Sequence, residues 1–167
     1  MANCWFLSDP HLGHENTITK FKRHDGTPLR DFESVDEMHE AIFDNCHRLV
    51  KPQDHLYLMG DMVINKKFLP LLKRFPGHLR MLGGNHDIFH TKDYLPYFEE
   101  IRAVRVMDNV CFTHFPIHPG CMARYAGNAH GHLHHQPQQL GAQYLNLSCE
   151  MIDYTPWSLE QVKAHFG

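Results

Sequence analysis

Five short segments rich in Asp, Asn and His contain the residues of this chain whose types and spacing could do chemistry. Carboxylate, amide oxygen and imidazole groups are the ligands that hold divalent ions such as manganese, iron or zinc. None of the segments contains a cysteine. Their composition therefore predicts a metal centre built from oxygen and nitrogen ligands. In chain order the segments are Asp9-Pro10-His11, Gly60-Asp61, Gly84-Asn85-His86-Asp87, Thr113-His114 and Gly131-His132-Leu133-His134.

A predicted strand precedes each segment, and a short apolar run indicates that strand in the first four cases. In α/β proteins the loops that follow the strands meet at one edge of the sheet, where ligands bind. We therefore expect the five segments to come together, although the first and the last are more than 100 residues apart. The predicted strands lie at residues 4–8, 55–60, 79–82, 110–113 and 126–130.

Helical patterns separate the strands in the first half of the chain. Residues 34–37 read Ser-Val-Asp-Glu, which has the form of a capping box and opens a helix predicted over residues 35–50. A short amphipathic helix is expected over residues 66–75. This alternation of strands and helices predicts parallel strands joined by right-handed crossovers.

The second half of the chain has a different pattern, with less helix between the strands. Residues 101–107 and 110–113 are expected to form strands joined by a turn at residues 108–109, and residues 144–147 to form another strand. These strands are expected to be antiparallel or mixed. A second capping-box pattern predicts a last helix over residues 158–166.

Composition narrows the class of protein. The 167 residues, of which 43% are hydrophobic, suit a single α/β domain over residues 1–167. No apolar run approaches the roughly 18 residues of a membrane-spanning helix, so we expect no membrane partner. The formal net charge of −3 offers no broad basic surface for a long nucleic acid. The five cysteines form no Cys-x-x-Cys pair, which favours free thiols and a cytoplasmic location.

Histidine is unusually frequent, with 16 copies. Three of them flank the polar segments and are expected to be partners that orient the ligand imidazoles, namely His118, His130 and His135. Six others stand in ordinary helical or loop contexts and are expected at the surface or at helix caps. These six are His24, His39, His47, His55, His78 and His165.

Taken in order, the five segments resemble the pattern of the calcineurin-like metallophosphoesterase superfamily, which reads Asp-x-His, Gly-Asp, Gly-Asn-His-Asp or Glu, a further His, and Gly-His-x-His. The matching blocks run from residue 9 to residue 134, about three quarters of the chain. The resemblance implies a four-layer α/β/β/α sandwich, in which two mixed sheets are flanked by helices. It also implies two divalent metal ions, first of all Mn²⁺, with Fe, Zn or Ni as alternatives.

The resemblance also implies a role for each residue of the metal centre. Asp61 would bridge the two ions, and its two carboxylate oxygens suit this role. The two ions, two carboxylates and a bridging hydroxide would leave a charge of about +1, which attracts a phosphate ester. One ion would be held by Asp9, His11, Asp61 and His134, and the other by Asp61, Asn85, His114 and His132.

Four residues are expected on the substrate side of the centre. The resemblance implies that His86 is a catalytic residue together with Asp61, and that it protonates the leaving alkoxide as a general acid. Asn85 would contact the substrate from the same segment. His14 and Arg124 are weaker candidates for substrate contact. His14, which follows the first segment, could equally face solvent, and Arg124 could be an ordinary surface residue as readily as a bidentate phosphate ligand.

The second block indicates the branch of the superfamily. The protein serine/threonine phosphatases have Asp where this chain has Ile64, so the sequence is closer to the small bacterial and phage-type phosphoesterases. The missing Asp leaves open whether His86 has a carboxylate partner. We expect a phosphodiesterase that hydrolyses a small or nucleotide-type phosphodiester through a metal-bridged hydroxide, with a phosphomonoesterase as the alternative.

Two alternative interpretations exist, one within the metal hydrolases and one from another class. Residues 130–135 resemble the metallo-β-lactamase motif, but they lack its Asp and lie late in the chain. A non-catalytic interaction module could keep the same fold, but it would not need His86 together with all the candidate ligands. The expected partner is thus a small phosphate ester, possibly a nucleotide, and the oligomeric state is left open.

Overall fold

A computed structural model describes residues 2–136 and 140–167 of the chain. The described residues form nine strands that divide between two sheets. In chain order the strands are β1 Cys4–Leu7, β2 His55–Leu58, β3 His78–Leu82, β4 Glu100–Arg102, β5 Val104–Met107, β6 Val110–Thr113, β7 Gly127–His130, β8 Tyr144–Asn146 and β9 Trp157–Ser158.

Both sheets are mixed. The first has the order β4-β3-β2-β1-β9, in which β1 to β4 are parallel and β9 is antiparallel to β1. The second has the order β5-β6-β7-β8, in which only the β5–β6 pair is antiparallel. The parallel pairing predicted for the first half of the chain is confirmed, and so is the mixed pairing of the second half.

Aromatic side chains pack between the two sheets. The ring of Phe6 on β1 stacks on Phe112 of β6, with 4.1 Å between centroids and 13° between planes. The same ring stacks on Tyr57 of β2 at 5.2 Å. All three side chains are buried. The apolar runs thus form strands because each buries both of its faces, as strands in a sandwich of sheets and helices do.

The helices flank the sheets, as the predicted α/β sandwich requires. The longest, α2, follows Ser34, whose hydroxyl accepts a hydrogen bond from the N–H of Glu37, so the predicted helix over residues 35–50 is confirmed. The α-helices are α1 Asn16–Thr19, α2 Val35–Leu49, α3 Thr91–Tyr94 and α4 Leu159–Phe166, and the 3₁₀ helices are Lys66–Arg74, Pro119–Arg124 and Cys149–Met151. No helix of the described chain has the length and apolar character to cross a membrane.

Three details differ from the sequence predictions. Residues 101–107 form β4 and β5 in different sheets, because β4 pairs with β3 and β5 pairs with β6, and no single straight strand reaches both. The helix over Lys66–Arg74 is a 3₁₀ helix with Pro70 inside it, a residue that has no N–H for an α-helical bond. His39 on α2 is buried rather than exposed, and its Nε2 accepts the N–H of Gly13.

Candidate metal centre

All five polar segments follow strands and meet at one edge of the sandwich. The structure brings six of their side chains into two clusters, each with ligand atoms within 4.8 Å of one another. The first cluster combines Asp9, His11 and His134, and the second combines Asp61, His114 and His132. Each cluster contains three of the four residues that the family resemblance implies for one ion.

The first cluster is arranged around one carboxylate oxygen. Oδ1 of Asp9 lies 3.8 Å from Nε2 of His11 and 3.7 Å from Nε2 of His134. Ligand atoms that bind one ion at about 2.1 Å are separated by roughly 3.0–3.8 Å for bond angles from octahedral to somewhat beyond tetrahedral. The Asp9 oxygen therefore lies at the spacing expected of ligands that share a cation from each of the two imidazole nitrogens.

Asn85 joins the second cluster. Nε2 of His114 lies 3.5 Å from Oδ2 of Asp61 and 3.0 Å from Oδ1 of Asn85. The other ring nitrogen of His114, Nδ1, donates to the carbonyl of Met59 at 2.9 Å, which leaves the lone pair of Nε2 directed at the cluster. The imidazole of His132 packs against the ring of His114, with 5.2 Å between centroids.

Asp61 lies between the two clusters. Its Oδ2 is 3.7 Å from Nε2 of His11 in the first cluster and 3.5 Å from Nε2 of His114 in the second. Its Oδ1 accepts the backbone N–H of His86 at 2.8 Å, which fixes the orientation of the carboxylate. The side chain is buried. A carboxylate in this position can contact two cations at once.

The buried polar atoms of the first cluster fit a metal ion. Oδ1 of Asp9 and both ring nitrogens of His11 are buried and have no hydrogen-bond partner in the part of the chain that the structure describes. Such atoms are costly unless a ligand satisfies them. Burial, helped by the charge of Arg30, holds the pKa of His11 well below its usual value, and the neutral imidazole is the form that binds a metal.

The backbone of the candidate ligands is strained. A positive φ is uncommon for residues other than glycine and persists where the surrounding structure enforces it, often at functional sites. Here the φ angles are 57° at Asp9, 46° at His11, 57° at Asp61, 67° at His132 and 49° at His134. Five candidate ligands are therefore held in a costly conformation that directs their side chains toward the clusters.

Two motif glycines allow the segments to approach each other. A Cβ at Gly60, whose φ is 102°, would collide with the imidazole of His114. A Cβ at Gly131 would collide with the hydroxyl of Ser8 and the carboxylate of Asp9. The glycines of the Gly-Asp and Gly-His-x-His blocks are thus needed because the neighbouring segment occupies the space of a side chain.

A buried ion pair supports the first cluster from behind. Nδ1 of His134 donates to Oε1 of Glu150 at 2.6 Å, and Oε2 of Glu150 lies 3.1 Å from Nη2 of Arg30. Burial alone would raise the pKa of Glu150, but the larger opposite effect of the charges of Arg30 and His134 lowers it to about 2. Glu150 therefore stays ionised, holds the Nδ1–H tautomer of His134 and directs Nε2 at the cluster.

Arg30 links the ion pair to the first polar segment. Its guanidinium is fully buried, and besides Glu150 it donates to the backbone carbonyls of Asp9 and Pro10. The other oxygen of the Asp9 carboxylate, Oδ2, accepts from the N–H of His132 and the hydroxyl of Ser148, each at 2.9 Å. Asp9 is therefore fixed at both its backbone and its side chain.

Asp87 has a structural role at the centre. Its carboxylate accepts three backbone N–H groups, from Asp61, Met62 and Gly84, at 2.8–3.0 Å. This ties the Gly-Asp segment to the Gly-Asn-His-Asp segment. Burial raises the pKa of Asp87 above its usual value. In the described ranges no carboxylate lies within ion-pair distance of the His86 imidazole. His86 therefore has no carboxylate partner among the described residues, a point that the sequence had left open.

A cleft of about 680 Å³ opens beside the centre, and two of the substrate-side candidates border it, His14 and His86. Arg124 does not line the cleft; it ends the exposed 3₁₀ helix Pro119–Arg124, so the structure gives its expected phosphate contact no support. Asn85 is exposed at the second cluster. Residues 20–24 also line the cleft.

The sequence predicted which candidate ligands lie together but missed several of the groups that orient them. The tautomers of His134 and His114 are set by Glu150 and the Met59 carbonyl, not by the flanking histidines. His118 instead caps the 3₁₀ helix after it. One signal could have found Glu150: it follows the strand next to β7, so it reaches the same sheet edge as the fifth segment.

Comparisons with known proteins agree with this architecture. A family model described as calcineurin-like phosphoesterase matches residues 2–160. The chain is 27% identical over 177 aligned positions to the uncharacterized protein MJ1445 of Methanocaldococcus jannaschii, covering 97% of this chain and 90% of that protein. The crystal structure of AQ665, a protein of unknown function from Aquifex aeolicus, superposes with a TM-score of 0.77 at 23% identity, covering 98% and 99% of the two chains. The similarity to AQ665 shows that the two chains share the same fold.

The two mixed sheets and the paired His/Asp clusters at their edge define an α/β sandwich protein with two candidate metal sites. The chain belongs to the calcineurin-like phosphoesterase family. It is accordingly a metal-dependent phosphoester hydrolase with two candidate metal sites.

Proposed function

We propose that the protein is a binuclear phosphodiesterase that hydrolyses a small or nucleotide-type phosphodiester. The observation that carries this proposal is the position of Asp61, whose Oδ2 faces one imidazole of each cluster. One carboxylate oriented toward two sites is what a pair of adjacent cations requires. When bound, such a pair supplies a nucleophilic hydroxide from water at neutral pH and stabilises the charge on the phosphoryl oxygens.

The protein side chains hold the ions and the substrate in place. Asp9, His11, Asp61 and His134 would hold one ion, and Asp61, Asn85, His114 and His132 the other. The ligands are oxygen and nitrogen atoms throughout, which suits Mn²⁺, and also admits Fe, Zn or Ni. The amide of Asn85 contributes an oxygen without a charge, so the site keeps an attraction for the substrate anion.

His86 is placed to handle the leaving group. Its imidazole is exposed at the cleft, with 5.6 Å between its centroid and that of His11, while its backbone N–H is anchored on Asp61. An imidazole that reaches the cleft can donate a proton to the alkoxide that departs from phosphorus. His86 would therefore act as the general acid, and Asn85 and His14 would contact the phosphate ester.

A diester is favoured over a monoester by the surroundings of the centre. The cleft of about 680 Å³ is lined by residues 20–24 as well as by members of both clusters, so it has more room than a single phosphate group needs. Ile64 also departs from the pattern of the protein phosphatases, which act on monoesters. A phosphomonoesterase on the same site is the second candidate. The five free cysteines favour a cytoplasmic enzyme.

The test is hydrolysis of bis-p-nitrophenyl phosphate with added Mn²⁺, compared with p-nitrophenyl phosphate. We expect the diester to be turned over with the higher kcat/KM. Asp61→Asn should abolish the manganese-stimulated activity, whereas Asp44→Asn, an exposed carboxylate on α2, should retain it. A higher kcat/KM for the monoester would favour the phosphatase, and no hydrolysis with any divalent metal would favour an interaction module.

A further inference from the structure

One segment of the cleft wall, residues 20–24, carries an unbalanced positive charge. Residues 20–24 read Lys-Phe-Lys-Arg-His, and all five line the cleft. Asp61 is the one carboxylate among the described residues that line it. Because Asp61 is directed at the metal clusters, it does not neutralise the three permanent cations of this wall. The cleft is therefore strongly basic, although the whole chain has a formal charge of −3.

These cations are not engaged in ion pairs. Within residues 2–136 and 140–167 no carboxylate lies within ion-pair distance of Lys20, Lys22 or Arg23. The carboxylate nearest in sequence, Asp25, accepts from the N–H and hydroxyl of Thr27 and does not line the cleft. The positive groups are thus available to an anion that enters the cleft.

The backbone of this wall is held in place by a turn. Residues 22 and 28 pair as an antiparallel bridge, the N–H of Arg23 donates to Thr27 at 2.8 Å, and the N–H of Leu29 donates to Phe21 at 2.8 Å. Nε of Arg23 also donates to the Leu29 carbonyl at 3.1 Å. The charged segment is therefore anchored at both its backbone and one side chain, which reduces the ordering cost of binding.

An aromatic ring stands among the cations. Phe21 is 44% exposed, and its ring packs edge-on against His14 with 5.4 Å between centroids. Nδ1 of His14 is buried and has no hydrogen-bond partner among the described residues. A free aromatic face beside positive charges is the combination that binds a nucleobase together with phosphate groups.

We propose that residues 20–24 form a second anion subsite, which binds a phosphate group of the substrate other than the one that is cleaved. The substrate class is then a nucleotide with at least two phosphate groups, whose base packs on Phe21. A simple phosphodiester brings one negative charge, which the metal centre alone can satisfy. Three further cations match a substrate with additional anionic groups. This inference rests on the proposed function, since it places the cleaved phosphate at the metal centre.

The experiment compares two ligands on the manganese-loaded protein by isothermal titration calorimetry. One is AMP, with one phosphate, and the other is adenosine 5′-(α,β-methylene)diphosphate, with two phosphorus groups joined by carbon. We expect the second to bind at least about tenfold more tightly, because charge-assisted contacts form only with its additional group. In Lys20→Gln/Arg23→Gln the ratio should fall to about threefold or less.

A matched control separates the subsite from overall charge. Arg48→Gln/Lys92→Gln removes two exposed cations outside the cleft and should keep the wild-type ratio. Thermal unfolding verifies that both double variants are folded. Equal affinity of the wild type for the two ligands, or a ratio kept by Lys20→Gln/Arg23→Gln, would overturn the subsite.

The role of Phe21 is tested with a ligand that has no base. Phe21→Leu should weaken the methylene-bridged nucleotide by about tenfold and leave methylenediphosphonate unchanged within about twofold. Equal effects on both ligands would remove the nucleobase from the proposal. Wild-type turnover of bis-p-nitrophenyl phosphate is measured in parallel. If it is absent, the proposed function is wrong, and the binding ratios still decide whether the second anion subsite exists.

Discussion

Replacing Glu150 by Gln tests the support of the metal centre directly. The substitution keeps the shape of the side chain but removes the charge that faces the Arg30 guanidinium at 3.1 Å. Arg30 keeps its bonds to the carbonyls of Asp9 and Pro10, so its position changes little while its charge loses its counter-ion. His134 loses the carboxylate that accepts from Nδ1 at 2.6 Å.

The magnitude follows from burial. Both side chains of the pair are fully buried, and breaking a buried ion pair on one side costs about 3–5 kcal/mol. For a chain of this length that loss lowers Tm by roughly 6–20 °C. Loss of the carboxylate behind His134 should also weaken the ion of the first cluster by about 10- to 100-fold.

The assay is urea unfolding of the metal-free protein, together with manganese titration of the folded protein. Arg30→Met/Glu150→Gln removes both charges, so it should lose less stability than the sum of the single variants, with a coupling of about 1–3 kcal/mol. The exposed pair of Arg74 and Glu40 is the matched control, because solvent screens it and Glu40→Gln should leave unfolding nearly unchanged. Additive single effects, or a Glu150→Gln variant as stable as the wild type, would refute the reasoning.

Three further predictions each test a single feature of the structure. Gly131→Ala should lose the ion of the first cluster in metal analysis, because its methyl group meets the Asp9 carboxylate, whereas Gly83→Ala has open space and should keep both ions. Asp87→Asn should lose about 1–3 kcal/mol in urea unfolding, because one of three buried N–H groups then faces an amide NH₂. Burial alone would raise the pKa of Asp54, but the larger effect of three N–H donors leaves it below its usual value. The ionised Asp54 therefore stabilises the folded state above pH about 4, and this stabilisation is lost as the pH falls through the lower pKa of the folded state. The difference in unfolding free energy between the wild type and Asp54→Asn should shrink below pH about 4.

The strands and the long helix were predictable because they depend on local pattern. The apolar runs before Asp9 and Asp61 are buried on both faces, and the hydroxyl of Ser34 accepts the N–H of Glu37 as its sequence indicates. Local sequence pattern is not sufficient where the chain passes from one sheet to the other. Ala103 separates two strands whose partners are set by tertiary packing, so the sequence of residues 101–107 gives no sign of the break.

The candidate ligands were predictable because their types and order form a motif, but their supports were not. Arg30 and Glu150 meet across 120 positions of the chain, in a contact that no spacing rule describes. The position of Lys20 and Arg23 was also not predictable, because a basic segment of this composition is expected on an open surface and the fold places it on the wall of the cleft. Arg124 shows the converse: its place between two motifs suggested a phosphate contact that the fold does not support.

The position of Asp61 between the clusters is best tested by manganese binding and electron paramagnetic resonance. The wild type should bind two ions per chain and give the spectrum of an exchange-coupled pair, because Oδ2 of Asp61 faces an imidazole of each cluster and would contact both ions. Asp61→Asn should lose that coupling. A wild type that binds one ion, or two ions with uncoupled spectra, would contradict the bridging role of Asp61.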